Sequence, residues 1–520
     1  MQLPSLTTII ITVVVILITR FISKYLLIPY IKMRRYKGFK GGSFVYTPVL
    51  GDFAKMQADL KTHDDLYYSA VKRIIANPNL RALFYPMFNG LRIDLYDSEL
   101  IKEFFIKQSK FVKEPAFLGP MLQLIPGGLV VAEGEKWKSQ RKLISQVFHY
   151  DYINACIPII NRKGQEWIEN YIVKEESKEI PSTSIIDVKK AMKMYTSRVI
   201  WRTFFGEEDI VSGAESEKFL ELILHNVGEI AQQSFSVFNV FFGPGFFQLG
   251  LRAEDRKCNQ ETKIVLEFAR KKLNDFREKL SKENESLSSS NHTRNLIELL
   301  LIEASKHPVP EESLSDSELI SQIVTFLLAG TDTTLNLIVM MHYFLALYPQ
   351  VQEKLREEIM QHIGKTGEIT YEKLSKLDYL TAVMKETLRM YGPADTIFPR
   401  VATEDIMIGD LLVHKGDIVT PVIRIVGSNP KYFSNPEEFR PERWIEKTDP
   451  GVNDPFAFTP FSAGPRRCIG EQLAYVEAKS MIVELVRRYH IDIKRPFKLR
   501  MDYGLAYENK EPMLAIYTKL

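Results

Sequence analysis

The chain begins with a long apolar stretch, and most of the remaining sequence has the spacing of amphipathic helices. Residues 3–19 carry no charge, and about 17 such residues are at the short end of what crosses a bilayer. Short β-branched runs at residues 411–414 and 417–420 interrupt a sequence dominated by helical periodicity. The pattern predicts a mainly α fold with a small β component, preceded by a single N-terminal transmembrane anchor.

Three helices in the second half have recognisable boundaries. Ser315 and Glu318 form a capping-box pattern, and apolar residues then recur up to Tyr348, which predicts a helix of about 32 residues or roughly 48 Å. Apolar spacing and strong helix formers predict two further helices, over residues 379–390 and 470–488. A helix of 32 residues is long enough to cross a whole domain.

Two segments without helical periodicity predict flexible connections. Residues 278–295 are polar and serine-rich, which predicts a solvent-exposed loop between two helices. Residues 28–30 and 38–42 contain proline and glycines, which predict a hinge between the anchor and the globular part. We therefore divide the chain into a membrane anchor, residues 1–28, and a catalytic domain, residues 29–520.

Charges around the apolar stretch predict the topology. Seven basic residues lie after the stretch, between residues 20 and 40, so the positive-inside rule places the catalytic domain in the cytosol. A cleaved secretory signal is the alternative, but it needs basic residues before the apolar run and a small-x-small cleavage site after it. We expect a single-pass protein of the endoplasmic reticulum membrane, with the sequons at Asn284 and Asn291 unglycosylated.

Composition excludes some functions without naming one. Lys and Arg (68) nearly balance Asp and Glu (65), for a formal charge of +3, which argues against a nucleic-acid-binding protein. The three cysteines are far apart and odd in number, which fits a reducing compartment better than a disulfide framework. We expect Cys156 and Cys258 to be inert thiols.

The third cysteine lies in a dense motif near the C-terminus. Gly464 permits a tight turn, Gly470 permits close approach of a flat ligand, and Cys468 precedes a predicted helix whose N-terminus favours a thiolate. A nearby arginine, Arg466, can pair with carboxylates. With Phe461, these residues resemble the haem-binding loop of the cytochrome P-450 superfamily, in its microsomal eukaryotic form. The resemblance implies haem b (iron protoporphyrin IX), with Cys468 as the axial iron ligand and Arg466 as a propionate partner.

A second motif interrupts the longest predicted helix. Ala329, Gly330, Asp332 and Thr333 match the family motif A/G-G-x-D/E-T, which lies over the distal haem face in that family. Glycine, aspartate and threonine are poor helix formers, so we expect the helix to open around Gly330 and admit oxygen and water. The resemblance assigns proton supply to Asp332 and hydrogen bonding of the activated oxygen to Thr333. A kink that serves only packing is the alternative.

Weaker motifs gain weight from the resemblance. Glu386 and Arg389 match the family's E-x-x-R helix, and with Arg443 they would form a buried structural charge cluster. Trp137 and Arg141 match W-x-x-x-R, whose spacing would direct both side chains to a haem propionate. Arg400 falls where the family often has a second propionate partner, so the resemblance implies this role for it.

The substrate is the least specified feature. The expected pocket lining is apolar and comprises Phe326, Ala394, Ile397, Phe398 and Leu505. Asp395 stands near it as a turn former or as a partner for a cationic group. Phenylalanines at positions 235–247 surround a glycine-proline turn, which is compatible with core packing or with a loop that dips into the membrane.

These motifs together predict a membrane-anchored haem-thiolate monooxygenase that inserts one oxygen atom into a lipophilic substrate. The family implies electrons from NADPH through a membrane-bound reductase, with cytochrome b5 as a further donor. Lys138, Lys142 and Arg467 would form a basic docking site or simply a solvated face. A haem-thiolate isomerase that rearranges peroxides and a non-enzymatic haem sensor are the alternatives.

Overall fold

The structure is a computed structural model that divides into two compact units. It describes residues 6–87, 90–119, 121–174, 183–206, 222–223, 225–226, 229–230, 245–285, 294–306, 314–503 and 506–520. Unit 1 comprises Met1–Glu114, Thr396–Pro436 and Asp449–Thr459, and unit 2 comprises Pro115–Asp395, Glu437–Thr448 and Pro460–Leu520. Taken together, the described residues are mainly helical with small sheets, as the sequence predicts.

The N-terminal segment is helical well beyond its apolar stretch. Helix α1 (Leu6–Ile22) passes through a π-helical turn (Ser23–Leu27) into α2 (Ile28–Arg34). The hinge expected at residues 28–30 is therefore wrong. Pro29 lies in the first turn of α2, where a residue without an N–H is tolerated, so this proline does not interrupt the helix.

Unit 1 is built around a six-stranded sheet of mixed direction. The strand order is β1-β2-β3-β9-β6-β4, and the parallel pair β3–β9 places Arg92 opposite Ile418. The strands are β1 (Gly42–Phe44), β2 (Ala82–Met87), β3 (Gly90–Leu95), β4 (Phe111–Lys113), β6 (Arg400–Ala402) and β9 (Ile418–Pro421), with a separate hairpin of β7 (Ile406–Ile408) and β8 (Leu411–Val413). Its further helices are α3 (Phe53–His63), α4 (Tyr68–Ala76), α5 (Ser98–Ile106), α17 (Ile423–Val426) and α19 (Pro450–Asn453).

Unit 2 holds the long helices and both motifs of interest. Its helices are α6 (Pro115–Leu118), α7 (Met121–Leu124), α8 (Gly134–Val147), α9 (Tyr150–Trp167), α10 (Val188–Phe205), α11 (Ala253–Glu285), α12 (Leu296–Ser305), α13 (Asp316–Leu347), α14 (Pro349–His362), α15 (Tyr371–Ser375), α16 (Asp378–Tyr391), α18 (Arg443–Glu446) and α20 (Glu471–Val486). Strands β5 (Thr183–Asp187), β10 (Tyr489–Ile493) and β13 (Leu514–Lys519) form an antiparallel sheet in the order β10-β13-β5, and β11 (Met501–Tyr503) pairs with β12 (Tyr507–Asn509).

The central helix α13 begins where the sequence predicts and is regular throughout. Ser315 and Glu318 form the expected capping box, and all 32 residues of the helix are α-helical. The opening expected around Gly330 is therefore wrong. A Cβ atom at Gly330 would lie 2.5 Å from Cδ1 of Ile200 on α10, so this glycine allows two helices to approach closely.

The other predicted helices are confirmed, and one predicted loop is shorter than expected. Helices α16 and α20 coincide with the segments predicted at residues 379–390 and 470–488. Helix α11 extends to Glu285 and occupies the first part of the loop expected at residues 278–295. Asn295 ends that loop as the N-cap of α12, where it forms a capping box with Glu298. The rest of the predicted loop, up to residue 293, lies outside the described residues.

Candidate functional site

The cysteine motif forms a compact loop directly before α20. The amide of Cys468 donates to the carbonyl oxygen of Phe461 at 2.9 Å, which closes the loop. Ser462 and Gly464 have φ angles of +65° and +68°, a left-handed conformation that glycine adopts at no steric cost. Gly470 is the N-cap of α20, so Cys468 stands two residues before the cap, as the sequence predicts.

Cys468 differs from the other two cysteines in its exposure. Its side chain is exposed, whereas Cys156 and Cys258 are buried, and burial raises the pKa of these two thiols to about 12 and about 11. Surrounding protein also raises the pKa of Cys468, although the Gly470 amide and Arg141 act in the opposite direction. The amide at the start of α20 thus acts on this thiol in the direction expected from the sequence, toward the thiolate.

The backbone at Gly470 leaves space beside Cys468. A Cβ atom at Gly470 would meet nothing within 4 Å except the Cys468 sulphur, at 4.0 Å. The protein's own packing therefore does not require glycine there, whereas close approach of a planar ligand does. Among the described residues no group of three or more His, Cys, Asp or Glu could hold a bare metal ion. A metal in this part of the chain would have to bring ligands of its own, as haem iron does.

Arg141 supplies a positive charge next to this space. It lies on α8 and is half-buried, and burial lowers its pKa while the Cys468 thiol acts in the opposite direction. Arg141 in turn acts to lower the pKa of Cys468. Within the described ranges Arg141 makes no hydrogen bond or ion pair. A half-buried guanidinium without a protein partner is suited to an anionic ligand such as a propionate.

Arg466 is held by helix α8 and the residues before it. Its guanidinium lies over the indole of Trp137, 4.2 Å from the ring centroid, and pairs with Glu133 at 2.6 Å. A further hydrogen bond goes to the carbonyl oxygen of Ala132 at 2.9 Å. The structure thus brings Trp137 and Arg466 together, with Arg466 engaged by protein groups and Arg141 left for a ligand.

The motif on α13 coincides with the accessible stretch of an otherwise buried helix. From Leu319 to His342 every residue is buried except Ala329, Gly330, Asp332 and Thr333. These four are the residues that the sequence motif selects. The hydroxyl of Thr333 donates to the carbonyl oxygen of Ala329 at 2.6 Å, which keeps it within the helix and leaves its oxygen able to accept a further hydrogen bond.

Asp332 has an unusual electrostatic environment. Burial raises the pKa of its carboxyl group to about 6, and the carboxylate of Glu508 adds to the increase. Lys189 and Lys510 oppose it, and both pair with Glu508, at 2.8 and 2.5 Å. Asp332 is thus a group that exchanges a proton near neutral pH, as a proton donor requires. The role of Glu508 on β12 had no signal in the sequence.

The E-x-x-R helix carries a fully buried charge cluster. Glu386 accepts from Arg389 at 2.8 and 2.9 Å and from Arg443 at 2.9 Å, and all three side chains are buried. Two further partners were not predicted from the sequence: the indole N–H of Trp444 at 2.9 Å and the amide of Arg440 at 3.0 Å. A tryptophan directly after Arg443 was a signal that could have identified the first of them.

The expected substrate residues lie in different environments. Phe326 is buried on α13, with its ring centroid 5.5 Å from those of Phe148 and Phe204, so it contributes to an aromatic core. In unit 2 Ala394 is exposed; in unit 1 Ile397 is buried and Phe398 is half-buried. Leu505 lies outside the described residues, as do most of the phenylalanines at positions 235–247. Arg400, also in unit 1, is buried at the start of β6, opposite Lys113 and Val419.

Comparison with known proteins identifies the class. The chain belongs to the cytochrome P450 family, because the family model described as Cytochrome P450 matches residues 91–514. Three similar proteins are Cytochrome P450 3A29 of Sus scrofa (30% identity over 429 residues), Cytochrome P450 3A7 of Homo sapiens (29% over 429 residues) and Cytochrome P450 4d1 of Drosophila melanogaster (29% over 381 residues). These matches cover 81%, 80% and 70% of this chain and 81%, 81% and 71% of the respective relatives.

Membership of the family defines the reaction class and cofactor. The protein is a haem-thiolate monooxygenase, an oxidoreductase, and haem iron is its cofactor. Two helices among the described residues are long and apolar enough to cross a membrane. Asp316–Leu347 is packed inside the protein, whereas Ile10–Arg34 is almost entirely exposed. The N-terminal helix is therefore the candidate membrane anchor.

Proposed function

We propose that this protein is an anchored monooxygenase of the endoplasmic reticulum that oxidises a lipophilic small molecule with electrons from NADPH. The observation that carries the proposal is that unit 2 has two accessible features, each at a family motif. One is the exposed thiol of Cys468, and the other is the short accessible stretch of α13 formed by Ala329, Gly330, Asp332 and Thr333. A thiolate-bound haem supplies dioxygen activation and transfer of one oxygen atom to a substrate.

The loop and α8 would hold the prosthetic group. Cys468 would bind the iron as a thiolate, and Arg141, half-buried and without a partner in the described chain, would neutralise a propionate. Arg466 and Trp137 remain proposed propionate partners beside it, and they hold each other in place because the guanidinium stacks on the indole and pairs with Glu133. Arg400 is proposed as a second propionate partner.

Asp332 and Thr333, both on α13, would transfer protons and form hydrogen bonds at the site. The Thr333 hydroxyl donates a hydrogen bond to the carbonyl oxygen of Ala329, which leaves its own oxygen able to accept another one. Rotation of the hydroxyl would let it donate to a bound ligand instead. The carboxyl group of Asp332, with its pKa near 6, would take up a proton from solvent and pass it on. Phe326, Ala394, Ile397, Phe398 and Leu505 remain the proposed substrate contacts.

The electron donor would be a membrane-bound NADPH-dependent reductase, with cytochrome b5 as an auxiliary donor. Two of the three cations proposed for docking are already paired, Lys138 with Glu135 at 2.5 Å and Arg467 with Glu471 at 2.5 Å. Lys142 is exposed and forms no ion pair within the described ranges. A basic docking patch at this place would therefore depend chiefly on Lys142 unless the donor displaces the internal acids.

The experiment is the spectrum of the reduced, carbon monoxide-bound protein. We expect a thiolate-type Soret band in the wild type and its loss or displacement in Cys468→His, with the Cys156→Ala variant as a matched control that keeps the band. An unchanged spectrum in Cys468→His would contradict the assignment of the iron ligand. Turnover with reductase and NADPH then distinguishes a monooxygenase from a haem sensor, which would bind ligands without forming a product.

A further inference from the structure

The helical segment after the membrane anchor has two dissimilar faces. Tyr25, Pro29, Met33 and Tyr36 are all buried, and their spacing places them on one side of a helix. Ordinary linkers between an anchor and a domain have no buried face. The buried stripe shows that the segment is packed against unit 1, to which it belongs.

A buried carboxylate fastens this segment to the sheet region of unit 1. Asp417 has no exposed side-chain surface, and it accepts a hydrogen bond from the Tyr36 hydroxyl at 2.7 Å and from the Lys32 ammonium at 3.0 Å. The Tyr36 hydroxyl in turn accepts from the amide of His414 at 3.0 Å. Burial and the charge of Asp417 raise the pKa of Tyr36, so its hydroxyl remains a donor. We call Lys32, Tyr36 and Asp417 the anchor clamp.

Aromatic contacts reinforce the anchor clamp. The Tyr36 ring stacks on Phe84 of β2 with centroids 4.8 Å apart and an interplanar angle of 26°. Tyr46 lies edge-on to Tyr30 at 5.1 Å, and its hydroxyl donates to the carbonyl oxygen of Leu26 at 3.3 Å. Removal of one partner from a buried charged cluster leaves the others unpaired, so the clamp is costly to open.

The opposite face of the segment is apolar and exposed. Leu27, Ile28 and Ile31 are 51%, 43% and 48% exposed, and Tyr46 is 41% exposed beside them. Basic residues flank this apolar patch, namely Lys24, Arg34 and Arg35. Apolar and aromatic side chains bordered by Lys and Arg are typical of helices that lie in the interface of an anionic bilayer.

Continuity with the anchor indicates where the patch lies. A helix rises about 1.5 Å per residue, and the hydrocarbon core of a bilayer is about 30 Å thick. The uncharged stretch ends at Thr19, so Arg20 and Lys24 mark the cytosolic boundary of the hydrocarbon core. The apolar patch and its flanking cations then stand at the level of the cytosolic head groups.

We infer that α2 is a membrane-surface strut, meaning a helix that holds a domain at a fixed angle to the bilayer. Its exposed apolar face inserts into the cytosolic leaflet of an anionic bilayer, and the anchor clamp binds unit 1 to its buried face. This inference rests on the proposed membrane anchoring and adds to it a fixed orientation of unit 1 on the membrane. A flexible linker would let the domain rotate freely about its anchor. The clamp removes that freedom because its contacts involve side chains on both α2 and the sheet region.

The test uses the full-length holoenzyme in nanodiscs of phosphatidylcholine and phosphatidylserine. Depth is measured with a fluorophore on Ile31→Cys or Val14→Cys and lipids brominated at defined depths. Orientation is measured by single-molecule energy transfer from a label on Met407→Cys, exposed on β7 of unit 1, to an acceptor in the head groups. The chain without an introduced cysteine gives the background, since Cys156 and Cys258 are buried and the exposed Cys468 would be bound to iron in the holoenzyme.

We expect shallow-lipid quenching at position 31, deep-lipid quenching at position 14, and one narrow energy-transfer distribution. Lys32→Met with Tyr36→Phe should broaden the distribution and leave both depths unchanged, whereas Lys37→Met, which removes a neighbouring exposed cation, should not. If the double variant does not fold, Tyr36→Phe alone replaces it in the test, because it keeps the ring that stacks on Phe84 and removes only the hydroxyl. A narrow distribution in the clamp variants would overturn the orienting role. Quenching at position 14 without quenching at 31 would overturn the surface strut only, and quenching at neither would refute the anchoring itself.

Discussion

The guanidinium of Arg466 lies 4.2 Å from the centre of the Trp137 indole, which joins the cysteine loop to helix α8. These residues are far apart in sequence, and Glu133 completes the contact by pairing with Arg466. One motif therefore positions the other through direct stacking. Arg141, one turn after Trp137 on the same helix, keeps its charge available beside Cys468.

This arrangement predicts that Arg141 contributes to haem retention. In Arg141→Ala we expect haem to be lost about tenfold or more faster, because a charge-assisted hydrogen bond to a half-buried partner contributes about 1.5–3 kcal/mol. Transfer of haem to apomyoglobin measures the rate. Lys142→Ala is the matched control, since it removes an exposed cation from the same helix. Equal rates in both variants would show that Arg141 does not hold a propionate.

The buried cluster around Glu386 predicts a large effect on stability. Glu386→Gln should lower the free energy of unfolding by about 3–5 kcal/mol, because two buried arginines lose their shared counter-ion. Chemical denaturation followed by circular dichroism measures the change. Glu404→Gln, which affects an exposed pair with Lys110, should leave the transition midpoint where it is. Similar midpoints for the two variants would refute a structural role for the cluster.

Glu477 predicts a dependence of stability on pH. It is buried on α20, neither carboxyl oxygen has a hydrogen-bond partner in the described structure, and burial raises its pKa well above the ordinary value. The folded protein therefore holds a proton that the unfolded chain releases above about pH 4.5. Stability should fall as pH rises above that value, relative to Glu477→Gln.

The measurement is a series of unfolding curves between pH 4.5 and 8. The free energy of unfolding of the wild type should fall relative to that of Glu477→Gln as pH increases. Glu267→Gln alters an exposed glutamate of α11 and should show no such trend. A constant difference across the series would mean that Glu477 is ionised in the folded state.

The surroundings of Asp332 predict the pH profile of turnover. Below about pH 6 its carboxyl group carries a proton to donate, so proton-dependent turnover should decline as pH rises through that value. Glu508→Gln removes a negative charge that raises this pKa and frees Lys189 and Lys510, which lower it. The decline should therefore move to lower pH.

The rate of product formation with reductase and NADPH, measured from pH 5 to 8, checks this expectation. Asp332→Asn should remove the limb near pH 6 and lower product formation by about 10²-fold or more. Glu511→Gln, a change two residues beyond β12, should keep the wild-type profile. A limb that stays in place in Glu508→Gln would show that Asp332 does not set it.

Local patterns predicted much of this protein correctly. The capping box at Ser315 specified the start of α13, and the apolar spacing after Gly470 specified α20, because both depend on contacts within a few residues. The hinge at residues 28–30 was wrong for a related reason. Proline is compatible with the first turn of a helix, and tertiary packing of Pro29 and Met33 then favours continuation.

By itself the sequence determined the family, the cysteine that would bind iron and the helical segments, because spacing along a chain carries that information directly. Only the tertiary structure decided which groups surround them. Glu508 beside Asp332, Trp444 beside Glu386 and Asp417 beside Tyr36 are partners brought together by folding. Buried charges need partners wherever the fold provides them, and no local pattern reveals which distant residue will serve.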